Sequence, residues 1–258
     1  MKKHTCALLT AAVIAAVSIP TLIAKAGLTD GSVTESSLHK GLILHFTFDQ
    51  DAPGGNVTDV SGQGNNGKAS GVRWTPDGKK GGAYEFTADG DEIVAPNKKS
   101  LNPEQFTLSA WIKTKTGDHY WRRIFDKSYT KQFALSVAGD DGSYKAYGQV
   151  SLEMGPGNHA LMTQNRVDDG KWHHIVATFD GRLDVVYVDG KYQAKRRWEK
   201  SEHVGASDFN LVIGCNRSNT DPKEDDLGVS FRGLIDEPMM WNRGLSPEEV
   251  TVLYQSQQ

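Results

Sequence analysis

Cysteine is nearly missing from this 258-residue chain, which has only Cys6 and Cys215. Two thiols cannot build the disulfide framework that holds small secreted folds together. An excess of one charge is missing as well: 29 Lys and Arg stand against 32 Asp and Glu, for a formal net charge of −3. A chain so close to balance lacks the basic footprint of a general nucleic-acid binder. Long amphipathic helical patterns are scarce, and a long apolar run occurs only near the N-terminus. Glycine is plentiful, at 27 of 258 residues, against a usual share of about 7%. It follows no collagen-like period, so the glycines point to many tight turns.

The apolar run has a targeting pattern. Lys2 and Lys3 precede it, it extends from Ala7 to Ile23, and Ala24-Lys25-Ala26 follows as a small-x-small cleavage site. Residues 1–26 therefore read as a signal peptide cleaved after Ala26. The expected location is secreted, periplasmic or cell-surface, with no transmembrane segment in what remains. Pro20 and the cleavage pattern weigh against an uncleaved anchor. Cleavage removes Lys2, Lys3 and Lys25 and no acid, so the charge falls by three. Cys6 leaves too, and Cys215 is left without an intrachain partner; a hydrophobic core, with or without a metal, must hold the fold. Residues 27–40 are small and polar without periodicity and read as a flexible leader. The folded domain is expected over 41–258.

Within that domain, short runs of β-branched and aromatic residues alternate with Gly, Asp and Asn clusters. Strands are expected from Leu42 to Phe48, Ala83 to Phe86, Glu92 to Ala95, Phe106 to Lys113, Trp121 to Asp126 and Phe133 to Val137. Others follow from Tyr144 to Leu152, Leu161 to Val167, His173 to Phe179, Leu183 to Val188, Lys191 to Arg197, Leu211 to Ile213 and Phe231 to Trp241. Asp189-Gly190 suits a two-residue hairpin. The convincing helix comes last: Ser246 caps it, Pro247 opens it, Glu249 completes a capping box, and Val250, Leu253 and Tyr254 form its apolar stripe. This pattern predicts an all-β fold, a two-sheet antiparallel jelly-roll sandwich with one short C-terminal helix. No internal repeat supports a propeller.

Several segments resemble a known family. Gly41-Leu42-Ile43-Leu44-His45-Phe46-Thr47-Phe48-Asp49, Asp59-Val60-Ser61-Gly62-Gln63-Gly64-Asn65-Asn66-Gly67 and Gly82-Ala83-Tyr84-Glu85-Phe86 are similar to the laminin-G-like jelly rolls of the concanavalin A-like lectin/glucanase superfamily. Further along, Phe106-Thr107-Leu108-Ser109-Ala110-Trp111-Ile112, the segment from Asp169 to Asp180, Val186-Tyr187-Val188-Asp189-Gly190 and the segment from Phe231 to Ser246 resemble the same family. The resemblance spans about residues 41–256 and implies the fold. Function remains open, because lectins, enzymes, adhesion modules and structural domains share that fold.

For an enzyme, a glucanase on this fold needs carboxylates at alternate positions of one strand, so that nucleophile and acid share a face. No such array is present: Asp180 and Asp189 fall in turns and Asp184 stands alone. A lyase would use Tyr147 and a histidine, but the Gln-Ile-His companion motif of such relatives is absent. His173 and His174 are adjacent in an expected strand and so point to opposite faces, which makes them framework residues rather than a metal pair.

Calcium is the metal the resemblance implies. Asp49, Asn66 in its glycine-rich loop, and Asp236 match places where members hold a structural ion; the alternative is that these side chains cap turns. Carbohydrate recognition is expected where aromatic and basic residues cluster: His119, Tyr120, Trp121 and Arg122, with Tyr129 in the following turn, and Arg197 with Trp198. Should these share a face, their charge favours an acidic polysaccharide. If they do not, Trp121 belongs to the core and the arginines guard a sheet edge. The sequence thus points to an exported, non-catalytic carbohydrate-binding domain. The alternatives are a polysaccharide lyase or glycoside hydrolase on the same fold, or a protein-interaction module of a surface assembly.

Overall fold

The computed structural model describes residues 33–115, 121–139, 147–155, 159–199, 204–216 and 230–258. In chain order the strands are β1 (Leu42–His45), β2 (Asn56–Val57), β3 (Gly67–Ser70), β4 (Arg73–Thr75), β5 (Ala83–Phe86), β6 (Glu92–Ala95), β7 (Phe106–Lys115) and β8 (Arg122–Asp126). They continue as β9 (Phe133–Val137), β10 (Gln149–Met154), β11 (His159–Arg166), β12 (Asp169–Phe179), β13 (Leu183–Val188), β14 (Lys191–Arg197), β15 (Leu211–Ile213) and β16 (Gly233–Trp241). A helical turn, α1 (Glu35–Leu38), precedes them and a helix, α2 (Pro247–Ser256), follows.

These strands form two antiparallel sheets, as the alternation predicted. Sheet A runs β14-β13-β12-β7-β16-β5-β4, with β1 also paired to β16; sheet B runs β11-β10-β9-β8-β15-β6-β3-β2. Strands distant in sequence are neighbours in both, as in β7 beside β16 and β8 beside β15. The inward faces supply one core, including Leu44, Phe46, Phe86, Phe106, Ile124, Phe133, Leu135, Leu152, Ile175 and Phe179. Phe106 anchors its centre, with ring centroids 4.6 Å from Phe133 and 5.6 Å from Phe179. Each fully buried phenylalanine contributes on the order of 2–3 kcal/mol, so the core does the work that disulfides do elsewhere; among the described residues Cys215 is buried and in no disulfide.

Sheet A has a second buried layer on its other side. Val176, Val185, Tyr187, Met239 and Trp241 pack there against Val250 and Leu253 of α2 and against Leu38. The capping box forms as expected: Glu249 N donates to Ser246 Oγ at 3.2 Å, and Ser246 N donates to Glu249 Oε2 at 2.9 Å. Packing begins before Gly41, in the stretch expected to be leader. Leu38 is buried, and its carbonyl accepts from Trp241 Nε1 at 2.6 Å. Residues 1–32, including the expected signal peptide, lie outside the described residues.

Two differences have local causes. The first strand stops at His45 rather than Phe48, and Phe48 has a φ of +53, a conformation a bulky side chain rarely adopts. β2, β3 and β4 were not anticipated, because they are two to four residues long and carry too little alternation to register. The strand expected from Tyr144 begins, in its described part, at Gln149; residues 140–146 lie outside the described residues.

Candidate functional site

The face of sheet B turned away from the core carries the densest polar cluster on the β8–β10 strands. Register builds it: Ser136 pairs with Arg123 on one side and Ser151 on the other, while Ala134 pairs with Asp126 and Glu153. Ala134 is the small residue between two carboxylates, and Arg123 fills that space. Its Nη1 donates to Ser136 Oγ and to Glu153 Oε1 at 2.5 Å each, and its Nε lies 3.2 Å from Asp126 Oδ2. The Tyr129 ring lies 5.2 Å from the guanidinium carbon, within cation–π range. Arg123, Ser136, Ser151 and Glu153 are all buried, and Ser151 Oγ has no hydrogen-bond partner. Leaving a buried hydroxyl unsatisfied costs about 1–3 kcal/mol.

The adjoining loop adds a second unmet group. Ser207 Oγ donates to Gln132 Oε1 at 2.8 Å, leaving the buried Gln132 Nε2 without a partner. Either orientation of this amide leaves one polar atom over. Ser207 also lines a cavity of about 390 Å³ with Lys131, Ala206, Asp208 and Phe209. Behind it, Lys127 Nζ donates to Asn97 Oδ1 at 2.8 Å and to the Phe209 carbonyl at 2.5 Å. Burial pushes that ammonium down to about 8, against the opposing pull of Asp208.

Among the described residues, Arg122 and Trp198, both expected to bind carbohydrate, are not brought to one face. Arg122, beside Arg123, points the other way: it is 2% exposed, and its Nη1 donates to Thr114 Oγ1 at 2.7 Å and to the Lys115 carbonyl at 2.8 Å, tying the sheets together. Asp168 is 3.9 Å from its Nη2. Trp121 is half-buried just before β8, and His119 and Tyr120 lie outside the described residues. Trp198 packs against the core, donates from Nε1 to Asp184 Oδ1 at 2.6 Å, and is covered by Arg196 at 4.2 Å and by His159 at 5.0 Å. Arg197 is exposed. Arg122 sits near the start of β12 and Trp198 near its end, where Asp184 pairs with Phe179. An 11-residue strand separates them by roughly 35 Å, so the two clusters are separate features.

The expected calcium residues divide as well. Asp236 Oδ2 accepts from Lys79 N and Lys80 N at 2.9 Å each, and Oδ1 accepts from Glu237 N at 2.8 Å. Burial raises this carboxyl to about 7. Asp49 borders the same turn, close enough to Gly81 that a Cβ there would lie 2.0 Å from its Oδ1. Asn66 belongs elsewhere, its Oδ1 accepting from Asp59 N at 2.9 Å. Among the described residues no group of three His, Cys, Asp or Glu side chains is placed to hold a metal. Asp49 and Asp236 therefore border one turn.

The histidine pair behaves as framework. His174 is buried outside sheet A, where Nε2 lies 2.8 Å from Ser109 Oγ and the ring lies 5.0 Å from Trp111 and 5.8 Å from Tyr254. His173 instead contacts Asp189 at 2.9 Å and Asp169 at 3.0 Å. Sequence reasoning named Arg123 only as the end of the His119-Tyr120-Trp121-Arg122-Arg123 cluster and missed Ser136, Ser151 and Glu153. Their period-two polar pattern was available, but which strands lie side by side was not.

Comparison with known proteins agrees with the fold. Mouse (Mus musculus) pappalysin-1 is 24% identical over 65% of this chain and 11% of its own length. The mouse basement membrane-specific heparan sulfate proteoglycan core protein is 25% identical over 46% of this chain and 3% of its own. The chain thus spans a small part of these relatives. Among solved structures, domain 4 of a GH43 extracellular arabinanase from Geobacillus stearothermophilus, in complex with arabinotriose, has a TM-score of 0.62 at 20% identity, over 83% of this chain and 98% of that one. The ligand-binding domain of botulinum neurotoxin serotype D in complex with N-acetylneuraminic acid has a TM-score of 0.66 at 16% identity, over 86% of this chain and 52% of that one. A family model described as Concanavalin A-like lectin/glucanases superfamily matches residues 87–251, more than half of the chain. With the two-sheet sandwich already described, that match makes the protein a member of the concanavalin A-like lectin/glucanases superfamily.

Proposed function

We propose that this chain is a carbohydrate-binding domain acting outside the cytoplasm, with its glycan site on the outer face of sheet B around Arg123. The observation that carries this reading is the buried polar floor itself: Arg123 held between Ser136, Glu153 and Asp126, with Ser151 Oγ and Gln132 Nε2 unsatisfied beside it. Fixed, preorganised donors and acceptors are what sugar hydroxyls need, since each bond then forms with little loss of side-chain freedom. The complexes of two structural neighbours with arabinotriose and N-acetylneuraminic acid lend support. Arg123 is neutralised by its carboxylates, which favours a neutral, hydroxyl-rich glycan here; acidic polysaccharides are the competing arm. Calcium enters the proposal as a clip of the 79–82 turn, supported by Asp49 and Asp236 both bordering it. Export rests on the N-terminal sequence pattern, and no helix among the described residues is long and apolar enough to cross a membrane.

A glycan array probed with and without calcium tests this, followed by titration of Glu153→Gln and Ser151→Ala. Binding that falls about tenfold in these variants, the equivalent of one lost hydrogen bond, with an intact melting transition, supports the assignment. Silence across neutral and acidic glycans overturns it. The hydrolase alternative gains one observation, that Asp126 and Glu153 share a face, but Arg123 engages both carboxylates. New reducing ends after incubation with polysaccharide would support that alternative.

A further inference from the structure

A second pocket lies at the opposite edge of sheet B. It has a volume of about 380 Å³ and is lined by the segment from Thr47 to Pro53, by Asn56, Val57, Thr58 and Val60, and by Tyr84. β2 is four strand spacings from β8, the strand of Arg123, in the sheet order, or roughly 19 Å, so this pocket is separate from the Arg123 cluster. Its size falls within the range of small-molecule sites.

The lining has a definite chemical bias. It offers the carboxylates of Asp49 and Asp51, the amides of Gln50 and Asn56 and the hydroxyls of Thr47 and Thr58, with no Lys, Arg or His. Among the described residues, Gln50, Thr47 and Thr58 have no side-chain hydrogen bond, and Asn56 has only a long contact, 3.4 Å from Lys68 Nζ. Asp51 Oδ1 accepts from Tyr84 Oη at 3.3 Å, and Tyr84 Oη accepts from Ala52 N at 3.0 Å, fixing the pocket wall. Such a surface repels anions and calls for a ligand rich in hydroxyl donors. Pro53 and Val60 add apolar surface, and Val60 is 53% exposed. The Tyr84 and Phe48 rings are buried, so no aromatic face is presented for caging an ammonium group.

The wall is also strained and held. Phe48 has a φ of +53, and its carbonyl accepts from Trp74 Nε1 at 2.8 Å. That bend turns the chain out of β1 and directs residues 49–51 along the pocket. Strain of this kind persists only where surrounding structure enforces it and is concentrated at binding sites.

We infer that this pocket is a second ligand site, taking one residue of a neutral sugar through acceptors at Gln50, Asp51, Asn56 and Thr58. The test is ¹H–¹⁵N NMR titration of the full chain with galactose, glucose, arabinose and glucuronate, each with and without EDTA. At least one neutral sugar is expected to shift the amides of residues 47–60 saturably, with glucuronate weaker. Asn56→Ala and Asp51→Asn should each reduce that affinity by about tenfold, while Glu153→Gln leaves it unchanged. The inference is overturned if no neutral sugar shifts these amides, if glucuronate binds equally well, or if EDTA abolishes binding and so assigns the carboxylates to a cation. Because Glu153→Gln is read at the other face, failure here and failure there are separable.

Discussion

His174 makes the stability of the domain depend on acid in a calculable way. The side chain is fully buried, its Nδ1 has no partner, and burial lowers its pKa from 6.5 to about 3. The unfolded chain therefore binds a proton that the folded chain refuses, so the stabilising contribution is complete above pH 6.5 and is lost as pH falls towards 3. At pH 4.5 the unfolded form is favoured by two pH units, or about 3 kcal/mol. For a domain of this size that corresponds to a melting temperature roughly 6–12 °C lower. His173 works in the opposite direction, because its bond to Asp189 raises its pKa; its contribution is present at low pH and lost as pH rises. A control must retain His173 and remove only the His174 term. The double variant Ser109→Ala with His174→Phe does this, preserving the ring stack and leaving no orphaned hydroxyl. Thermal melts of both proteins at pH 7.5 and 4.5 give the comparison, and the wild type should lose about 3 kcal/mol more than the variant. Equal losses would refute the claim that His174 is held neutral beneath α2.

Other expectations follow from particular contacts. Gly214→Ala should destabilise by about 2–4 kcal/mol, because Gly214 has a φ of +84 and its Cβ would lie 2.0 Å from Phe86 Cε1. Gly205→Ala, with open space around it, should stay within about 1 kcal/mol, and denaturant melts distinguish the two. If calcium clips the 79–82 turn, chelation should lower the melting temperature by several degrees, and Asp49→Asn should remove that sensitivity. An unchanged melt removes the ion from the account. N-terminal sequencing of the protein recovered outside the cytoplasm should begin at Gly27; material that still starts at Met1 would contradict the signal peptide.

The fold was legible because its signals are local. Alternation placed Phe133–Val137 and Leu211–Ile213, and the capping box placed the start of α2 from three residues. The surroundings of the candidate site residues were not legible where they depended on neighbours distant in sequence. Arg122 and Arg123 are indistinguishable as letters, yet strand alternation sends one into the sandwich to Thr114 and the other outward to Glu153. Trp198 resembled a sugar platform, but β14 and β11 meet at the sandwich edge, and Asp184, Arg196 and His159 enclose it. Asp49 and Asp236 met at one turn because the ends of the domain pair through β1 and β16, while the Asn66 side chain is engaged by the Asp59 amide.

The central claim, a glycan site around Arg123, is tested most directly by titrating the wild type and Glu153→Gln with the strongest hit of a neutral and acidic glycan array. The expected result is saturable binding by the wild type and a loss of about tenfold in the variant with unchanged melting. Equal affinity in the two proteins, or no glycan bound by either, would contradict it.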